Sequence, residues 1–207
     1  MSQYFLSLVA GYLIGSIPTA YLVVKQKAGI DIQDAGSGNV GAFNVFSVTR
    51  SKRLGILVGI LDGLKGLLVT WLMLHLFAAP FWVGAVGMLA SIVGHTYPVW
   101  LGFKGGRGLA TAAGGFFGIG ISYTIVWCTS WLLFNRWKKD IVTANILASV
   151  VTPVLLTLAP TILVDAVMIA QTSVDSYRAF AWVLSGVLLV SHGDILREYV
   201  NRSNRTT

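Results

Sequence analysis

Three polar segments interrupt an otherwise apolar chain, and each holds residue types that can bind an anion or move a proton. The first covers residues 31–44 and reads DIQDAGSGNVGAFN. Its glycines allow the backbone to turn several N–H groups into one concavity, and its Ser and Asn side chains add further donors. The residues concerned are Gly36, Gly38 and Gly41 with Ser37, Asn39 and Asn44. This composition suits a phosphate, and a flexible re-entrant loop is the alternative.

The glycines of the first segment also satisfy the pattern G-x-G-x-x-G, which is typical of dinucleotide-binding proteins. That pattern carries its meaning only between a strand and a helix of a βαβ unit. No such unit surrounds residues 36–41, so a dinucleotide site is not expected.

The second segment covers residues 94–111 and reads GHTYPVWLGFKGGRGLAT. Lys104 and Arg107 lie among glycines, with Gly105 and Gly106 between them, directly before a new apolar helix. Positive charge and free N–H groups then meet at one point, which predicts an anion site. Interfacial anchoring by the basic and aromatic side chains is the alternative, although it does not require two glycines between the cations.

The third segment covers residues 191–198 and contains three titratable side chains, His192, Asp194 and Glu198. A membrane interface can shift their protonation equilibria, which makes them candidate proton acceptors or carbonyl polarisers. A solvated, charged helix end is the alternative interpretation.

Asp62 and Lys65 are charged residues inside an apolar run. Their spacing of three places them on one helical face, where they can neutralise each other or line a polar cavity. A charge at the bilayer centre costs roughly 2.5–3.5 kcal/mol, so the pair is expected to face protein. We favour a structural pair over a part of the site.

The composition excludes a soluble globular domain and a disordered chain alike. Of the 207 residues, 55% are apolar and 11% are charged, and the mean hydropathy is +0.74. A soluble domain carries about a quarter of its residues as Asp, Glu, Lys and Arg. Cys128 is the one cysteine of the sequence, which excludes a disulfide framework and a multi-cysteine metal site. We expect neither a metal nor another cofactor.

The net charge of +7 brings nucleic acid into consideration as a partner. The basic residues lie in short blocks between apolar runs and form no continuous stripe. Retention of basic loops on the cytoplasmic side of a membrane explains them more simply, so no nucleic acid is expected as a partner.

Apolar runs predict the membrane-spanning helices, since about 20 such residues cross the hydrocarbon. The run 109–134 is interpreted as a hairpin of two short helices turning near Gly118 and Gly120, because one long helix would break the positive-inside pattern. The runs lie at residues 4–24, 54–76, 81–99, 109–134, 141–160 and 179–193.

The basic residues orient these runs. With the hairpin, every Lys and Arg except Lys65 and Arg178 falls in a cytoplasmic segment when the N-terminus is outside and the C-terminus is cytoplasmic. Residues 1–24 contain no Lys or Arg, so the first run is not a cleavable signal peptide. The expected fold is an all-α integral membrane protein of seven transmembrane helices, forming a single domain over residues 1–207.

By residue order and spacing, the three segments together resemble the acyl-phosphate:glycerol-3-phosphate acyltransferase family (the PlsY family), of which this chain would be a divergent member. The resemblance covers nearly the whole chain. It is most specific at residues 36–44 and 94–111, and Asp62 and Lys65-Gly66 also match the family. The family implies a seven-helix membrane enzyme with all three segments on one side.

The resemblance implies that the 1-hydroxyl of glycerol 3-phosphate attacks the carbonyl of an acyl phosphate in phospholipid synthesis, releasing phosphate and lysophosphatidic acid. Acyl phosphate, glycerol 3-phosphate and membrane lipid are the implied partners, and the implied location is the bacterial inner membrane with a cytoplasmic active face. The implied catalytic residues are Ser37, His192 and Glu198. The implied substrate-binding residues are Gly36, Gly38, Asn39, Asn44, Arg50, His95, Lys104, Gly105, Gly106, Arg107 and Asp194.

Three residues of the implied site depart from the family pattern, and two of them, Ser47 and Asp194, make the site less positive. Phe43 stands where the family usually has Thr, and Ser47 where it has Arg, with Arg50 one helical turn later. Asp194 replaces a neutral Asn near an implied phosphate. A non-catalytic paralogue that binds a phosphorylated metabolite or a lipid head group is therefore the alternative function. A transporter is disfavoured because the sequence contains no convincing internal repeat.

Overall fold

The computed structural model describes residues 1–193, and this part of the chain is helical with no strand. The predicted site residues Asp194 and Glu198 lie outside the described residues. The chain groups into two compact units. Unit 1 comprises Met1–Gly120 with Ile169–Gln171, and unit 2 comprises Ile121–Met168 with the residues from Thr172 onward. The single domain over residues 1–207 stays a prediction.

Unit 1 contains six α-helices, joined by short turns of 3-10 and π-helix. The α-helices are α1 (Ser2–Ser16), α2 (Thr19–Ala28), α3 (Ala42–Thr49), α4 (Lys52–Trp71), α5 (Phe81–Thr96) and α6 (Leu109–Ile119). The turns are Ile32–Asp34, Val99–Leu101 and the π-turn Leu72–Leu76.

The described part of unit 2 contains four α-helices. They are α7 (Ser122–Lys138), α8 (Ile141–Leu158), α9 (Thr161–Asp165) and α10 (Val174–Val190).

Three helical stretches are long and apolar enough to cross a membrane: Ser2–Ala28, Lys52–Leu76 and Ile141–Leu158. Helix α6 is apolar but shorter. Many large apolar side chains are exposed, among them Phe5, Leu133 and Ile162, which is expected when lipid is the solvent. The all-helical prediction is confirmed for the described residues. The count of seven spans and the orientation of the termini stay predictions.

The first predicted span is not one continuous helix. Helix α1 ends at Ser16 and α2 begins at Thr19, because Pro18 has no N–H to donate and its ring disfavours a helical Ile17. Ile17 is extended, with φ −56° and ψ 119°. The break leaves the carbonyl of Ile17 outside the helical hydrogen-bond pattern, and this oxygen finds a partner in the site described below.

The predicted break in the run 109–134 is confirmed. Helix α6 ends at Ile119, and α7 begins at Ser122. Gly120 between them has φ +157°, a backbone conformation that favours glycine. The mutual arrangement of the two helices as a hairpin stays a prediction.

Helix α10 begins at Val174, five residues before the predicted run 179–193. The hydroxyl of Ser173 accepts a hydrogen bond from the backbone N–H of Ser176 at 3.1 Å and so caps the helix. Arg178 belongs to α10 and donates to the carbonyls of Leu156 and Ala159 at the end of α8, at 3.0 and 2.6 Å. This basic residue is thus used as a helix cap.

Glycine allows close helix packing in unit 1. A Cβ atom on Gly66 of α4 would overlap the carbonyl oxygen of Thr111 and lie 2.8 Å from the backbone nitrogen of Gly115 on α6. A Cβ on Gly15 of α1 would overlap the backbone of Ser91 on α5. Small residues at these contacts allow two backbones to touch, which is how helices commonly associate in lipid.

Candidate active site

The first loop, residues 31–41, is held in shape by the side chain of Asn44. This amide is 4% exposed. Its Oδ1 accepts from the backbone N–H of Ser37 at 3.0 Å, and its Nδ2 donates to the carbonyl of Ala35 at 3.0 Å. Both ends of the amide are therefore engaged within the loop. Asn44, predicted as a direct substrate ligand, clamps the loop in this structure.

Two of the three glycines of the first loop adopt a conformation that favours glycine. Gly36 and Gly38 have φ +63° and +70°, in the left-handed region. Gly36 also has no room for a side chain, since a Cβ there would meet Asn44 Oδ1 and Val48 Cγ2. Ser37 at the tip of the loop is exposed, and Asn39 is half-buried. The segment ends sooner than predicted, because α3 begins at Ala42 with Gly41 as its N-cap.

The second loop, residues 97–108, folds back onto His95. The backbone N–H of Gly106 donates to the carbonyl of His95 at 3.1 Å, and that of Gly105 donates to Thr96 at 3.0 Å. A Cβ on Gly106 would lie 2.9 and 3.0 Å from Cε1 and Cδ2 of the His95 ring, and closer still to Nε2. The pair Gly105-Gly106 is thus required by close approach to His95.

The cations of the second loop flank this glycine pair. Lys104 is exposed and Arg107 is half-buried. Gly108 (φ +74°) is the N-cap of α6, so the first N–H groups of that helix follow Arg107 directly. Positive charge and a helix N-terminus therefore occur together, as the sequence predicted.

Backbone and side-chain hydrogen bonds join the two loops. The N–H of Val40 donates to the carbonyl of Gly105 at 3.2 Å. Nε2 of Gln33 donates to the carbonyls of Leu101 and Lys104, each at 3.2 Å. The first two polar segments, about 60 residues apart in sequence, therefore form one surface in unit 1.

A buried ionic cluster contacts the second loop. Oδ1 of Asp62 lies 2.8 Å from Nζ of Lys65 and 3.5 Å from Nδ1 of His95, and it accepts a hydrogen bond from the hydroxyl of Thr19. Lys65 Nζ also donates to the carbonyl of Ile17 at 2.6 Å. The predicted pairing of Asp62 with Lys65 is confirmed. Its contact with His95 was missed by sequence reasoning, although an acid inside an apolar run was a signal for it.

A small cavity opens beside this cluster. It is narrow and partly open to the surroundings. Its lining includes Lys65, His95 and the break at Ile17 and Pro18, together with Val40 and Gly105, the residues that join the two loops. The structure thus places one end of the two-loop surface next to a buried cation.

The remaining predicted residues lie in other settings. Arg50 is the exposed C-cap of α3 with φ +55°, and Phe43 is also exposed. His192, in unit 2, is 0% exposed, and its Nδ1 lies 2.7 Å from the carbonyl of Leu188. A carbonyl only accepts, so Nδ1 carries the proton and, in the neutral ring, Nε2 is the acceptor.

Comparisons with known proteins show which family and fold this chain shares. The sequence model of the glycerol-3-phosphate acyltransferase family matches residues 5–202. The glycerol-3-phosphate acyltransferase of Aquifex aeolicus is 41% identical over 152 residues, which are 72% of this chain and 77% of that protein. That of Geotalea daltonii is 47% identical over 119 residues, 58% of this chain and 60% of the relative.

A solved structure is similar over almost the whole chain. It is the crystal structure of PlsY (YgiH), an integral membrane glycerol 3-phosphate acyltransferase, in its glycerol 3-phosphate form. The TM-score is 0.75 at 32% identity, and the match covers 98% of this chain and 92% of the other. The lysophosphatidic acid form of the same protein matches with a TM-score of 0.76.

In this helical membrane fold, two glycine-bearing loops and two cations lie on one surface. These features define a class of integral membrane proteins with a site for anionic substrates. Within that class, this chain belongs to the glycerol-3-phosphate acyltransferase family.

Proposed function

We propose that this protein transfers an acyl group from an acyl phosphate to the 1-hydroxyl of glycerol 3-phosphate. The hydroxyl oxygen forms a bond to the carbonyl carbon, and the bond between that carbon and the phosphate oxygen breaks. The products are lysophosphatidic acid and inorganic phosphate, and the hydroxyl proton passes to the leaving phosphate. Family membership supports the acyltransferase activity, and the two forms of the similar crystal structure support this acceptor and product. A non-catalytic paralogue is not favoured.

The observation that carries the proposal is the joining of the two loops through Val40 and Gly105. Both substrates are phosphates, and their like charges repel when they approach. A surface with two cations and turned backbone N–H groups reduces this repulsion and fixes the reactants in place. Because an acyl phosphate is already activated, positioning and charge compensation supply most of what the reaction needs.

The loops have different roles in this proposal. Lys104 and Arg107 bind phosphate from the second loop, supported there by His95, Gly105 and Gly106. In the first loop, Ser37 and Asn39 hold a phosphate or carbonyl oxygen, and Gly36 and Gly38 shape the backbone around it. Asn44 contributes by clamping this loop, as its two hydrogen bonds indicate.

The third segment supplies the groups that act on the glycerol part. His192 and Glu198 orient or polarise it, Asp194 contributes to substrate binding, and Arg50 compensates for the missing Arg at position 47. The protonation of His192 at Nδ1 supports the first of these roles, because it makes Nε2 a hydrogen-bond acceptor for a hydroxyl.

The proposed setting is the bacterial inner membrane, crossed seven times, with the N-terminus outside and all three segments at the cytoplasmic face. The acyl chain lies between helices toward lipid. Helices α5, α7 and α10 have 16, 17 and 17 residues, close to the length needed to cross the hydrocarbon.

The experiment is an assay of the purified full chain with acyl phosphate and glycerol 3-phosphate, following release of phosphate and formation of lysophosphatidate. Lys104→Ala removes a charge-assisted hydrogen bond, so KM for glycerol 3-phosphate should rise roughly tenfold or more. Lys27→Ala, the same change at an exposed lysine at the end of α2, is the matched control and should leave KM unchanged.

Two results would contradict the proposal. Unchanged kinetics in Lys104→Ala would remove this residue from the site. Absence of lysophosphatidate with the wild-type chain, followed by its appearance in Phe43→Thr with Ser47→Arg, would mean that the fold is retained and the chemistry was lost.

A further inference from the structure

We propose that Asp62 is a positioning residue of this site, which fixes the His95 ring beneath the turn that separates Lys104 from Arg107. This inference rests on the proposed function, because it assigns a role in substrate binding to a residue that does not itself touch the substrates. Three contacts in series carry it: Asp62 to the His95 ring, the ring to Gly106, and the glycine pair to the two loops.

The first contact links Asp62 to the ring. The Asp62 side chain is 2% exposed, and one carboxylate oxygen, Oδ1, is shared by Thr19, Lys65 and His95. Lys65 at 2.8 Å already neutralises the carboxylate. The additional contact with Nδ1 of His95 at 3.5 Å is therefore not required for charge balance. It favours the ring orientation in which Nδ1 faces the carboxylate.

The second contact links the ring to the loop. The opposite edge of the ring packs against Gly106 so closely that a Cβ there would overlap Nε2. The backbone of His95 reinforces this contact by accepting from the N–H of Gly106 at 3.1 Å. A rotation of the ring would therefore push the glycine pair or leave a gap beneath it.

The third contact transmits the position of the glycine pair to both loops. Gly105 and Gly106 lie between Lys104 and Arg107, so a shift of the turn moves both cations. Gly105 also accepts from the N–H of Val40 in the first loop at 3.2 Å. Because a displacement of about 1 Å in a positioning group can cost roughly a hundredfold in rate, small changes beneath the turn are expected to be measurable.

Asp62→Asn tests the inference, since it keeps the side-chain shape and removes the charge that holds the ring. We expect KM for glycerol 3-phosphate to rise roughly tenfold, with a much smaller change in kcat. Asp62→Glu keeps the carboxylate and should recover part of the loss. In a His95→Gln background, Asp62→Asn should have no further effect on KM, because its effect passes through the ring.

A control on the same helix separates positioning from stability. The hydroxyl of Thr70 donates within α4 and lies 3.1 Å from the carbonyl of Gly115, away from the loops. Thr70→Val should lower the melting temperature and leave KM unchanged. If Asp62→Asn also lowers only the melting temperature, or if the effects of Asp62→Asn and His95→Gln add, Asp62 is a structural residue and the inference is wrong.

Two further measurements keep the result decisive. If Asp62→Asn does not fold, the double variant Asp62→Asn with Lys65→Gln replaces it, because neither charge then remains buried. A raised KM in the double variant supports the inference, and a lowered melting temperature alone contradicts it. Lys104→Ala is measured in the same assay. A raised KM in Lys104→Ala with unchanged KM in Asp62→Asn overturns the positioning role alone, whereas unchanged KM in Lys104→Ala overturns the proposed site.

Discussion

Among the described residues, both units bury hydroxyls, an amide and a histidine, but they differ in whether they bury a carboxylate and an ammonium group. Unit 1 buries an acid, an ammonium group and a histidine in contact with one another, Asp62, Lys65 and His95. In the described part of unit 2, the buried polar side chains are hydroxyls, one amide and His192. There, Ser122 donates to the hydroxyl of Tyr177 at 2.8 Å, and the hydroxyls of Tyr123 and Ser185 lie 2.8 Å apart.

This difference separates two uses of polarity in a membrane protein. Neutral hydroxyls are sufficient to join helices in lipid, and they carry little cost when paired. Buried charges are expensive even as pairs, and an apolar replacement often packs as well. An ionic cluster that adjoins the two-loop surface of unit 1 is therefore better explained by a contribution to the site than by packing alone.

Among the variants that test this difference between the units, Gly106→Ala is expected to have the largest effect on activity. The new Cβ would overlap the His95 ring, so the turn between the two cations must move. We expect kcat/KM to fall roughly a hundredfold or more. Gly186→Ala is the control, since a Cβ there meets nothing within 4 Å, and it should leave kcat/KM unchanged. Full activity of Gly106→Ala would show that the turn does not position substrate.

A smaller effect is expected from Asn44→Asp, which has almost the same shape. The variant loses the donor to the carbonyl of Ala35 and places a carboxylate oxygen against it, so the first loop should rearrange. KM for glycerol 3-phosphate should rise by about tenfold, because the loss of one hydrogen bond costs about 1.4 kcal/mol. Asn135→Asp makes the same change at the end of α7 and controls for the added charge. Equal kinetics in the two variants would contradict the clamp.

The smallest effect on activity is expected in unit 2. Tyr177→Phe removes the acceptor of two buried donors, the hydroxyl of Ser122 and the backbone N–H of Tyr123. The free energy of unfolding should therefore fall by about 2 kcal/mol. Steady-state kinetics should remain at the wild-type values. A raised KM in this variant would show that the hydroxyl network also acts on the site, and the contrast between the units would no longer hold.

The sequence predicted those features that depend on composition and on local backbone preference. Each predicted apolar run contains a helix, and the break at Gly120 falls where glycine was expected to permit a turn. The turned glycines at positions 36 and 38 were also predicted, because few other residues adopt a positive φ. The pairing of Asp62 with Lys65 followed from helical periodicity.

Features that depend on contacts between distant segments could not be predicted in the same way. The pair Gly105-Gly106 was assigned to anion binding, whereas the structure needs glycine at 105 because of the His95 carbonyl and at 106 because of the His95 ring. Asn44 has the donors of a ligand, yet its neighbours in the fold use both ends of the amide. Pro18 was counted inside a continuous span, because the partners that accommodate the break lie on α4.

The interruption at Pro18 also gives the charged pair of α4 a fixed direction. Lys65 meets the carbonyl end of α1, where the helix dipole is negative, and Asp62 meets the first residue of α2, where it is positive. A chain with lysine at 62 and aspartate at 65 would have the same composition and net charge. Each ion would then face a helix end of its own sign. Keeping the net charge without the order of the two residues would therefore not preserve the contacts between α4 and the break.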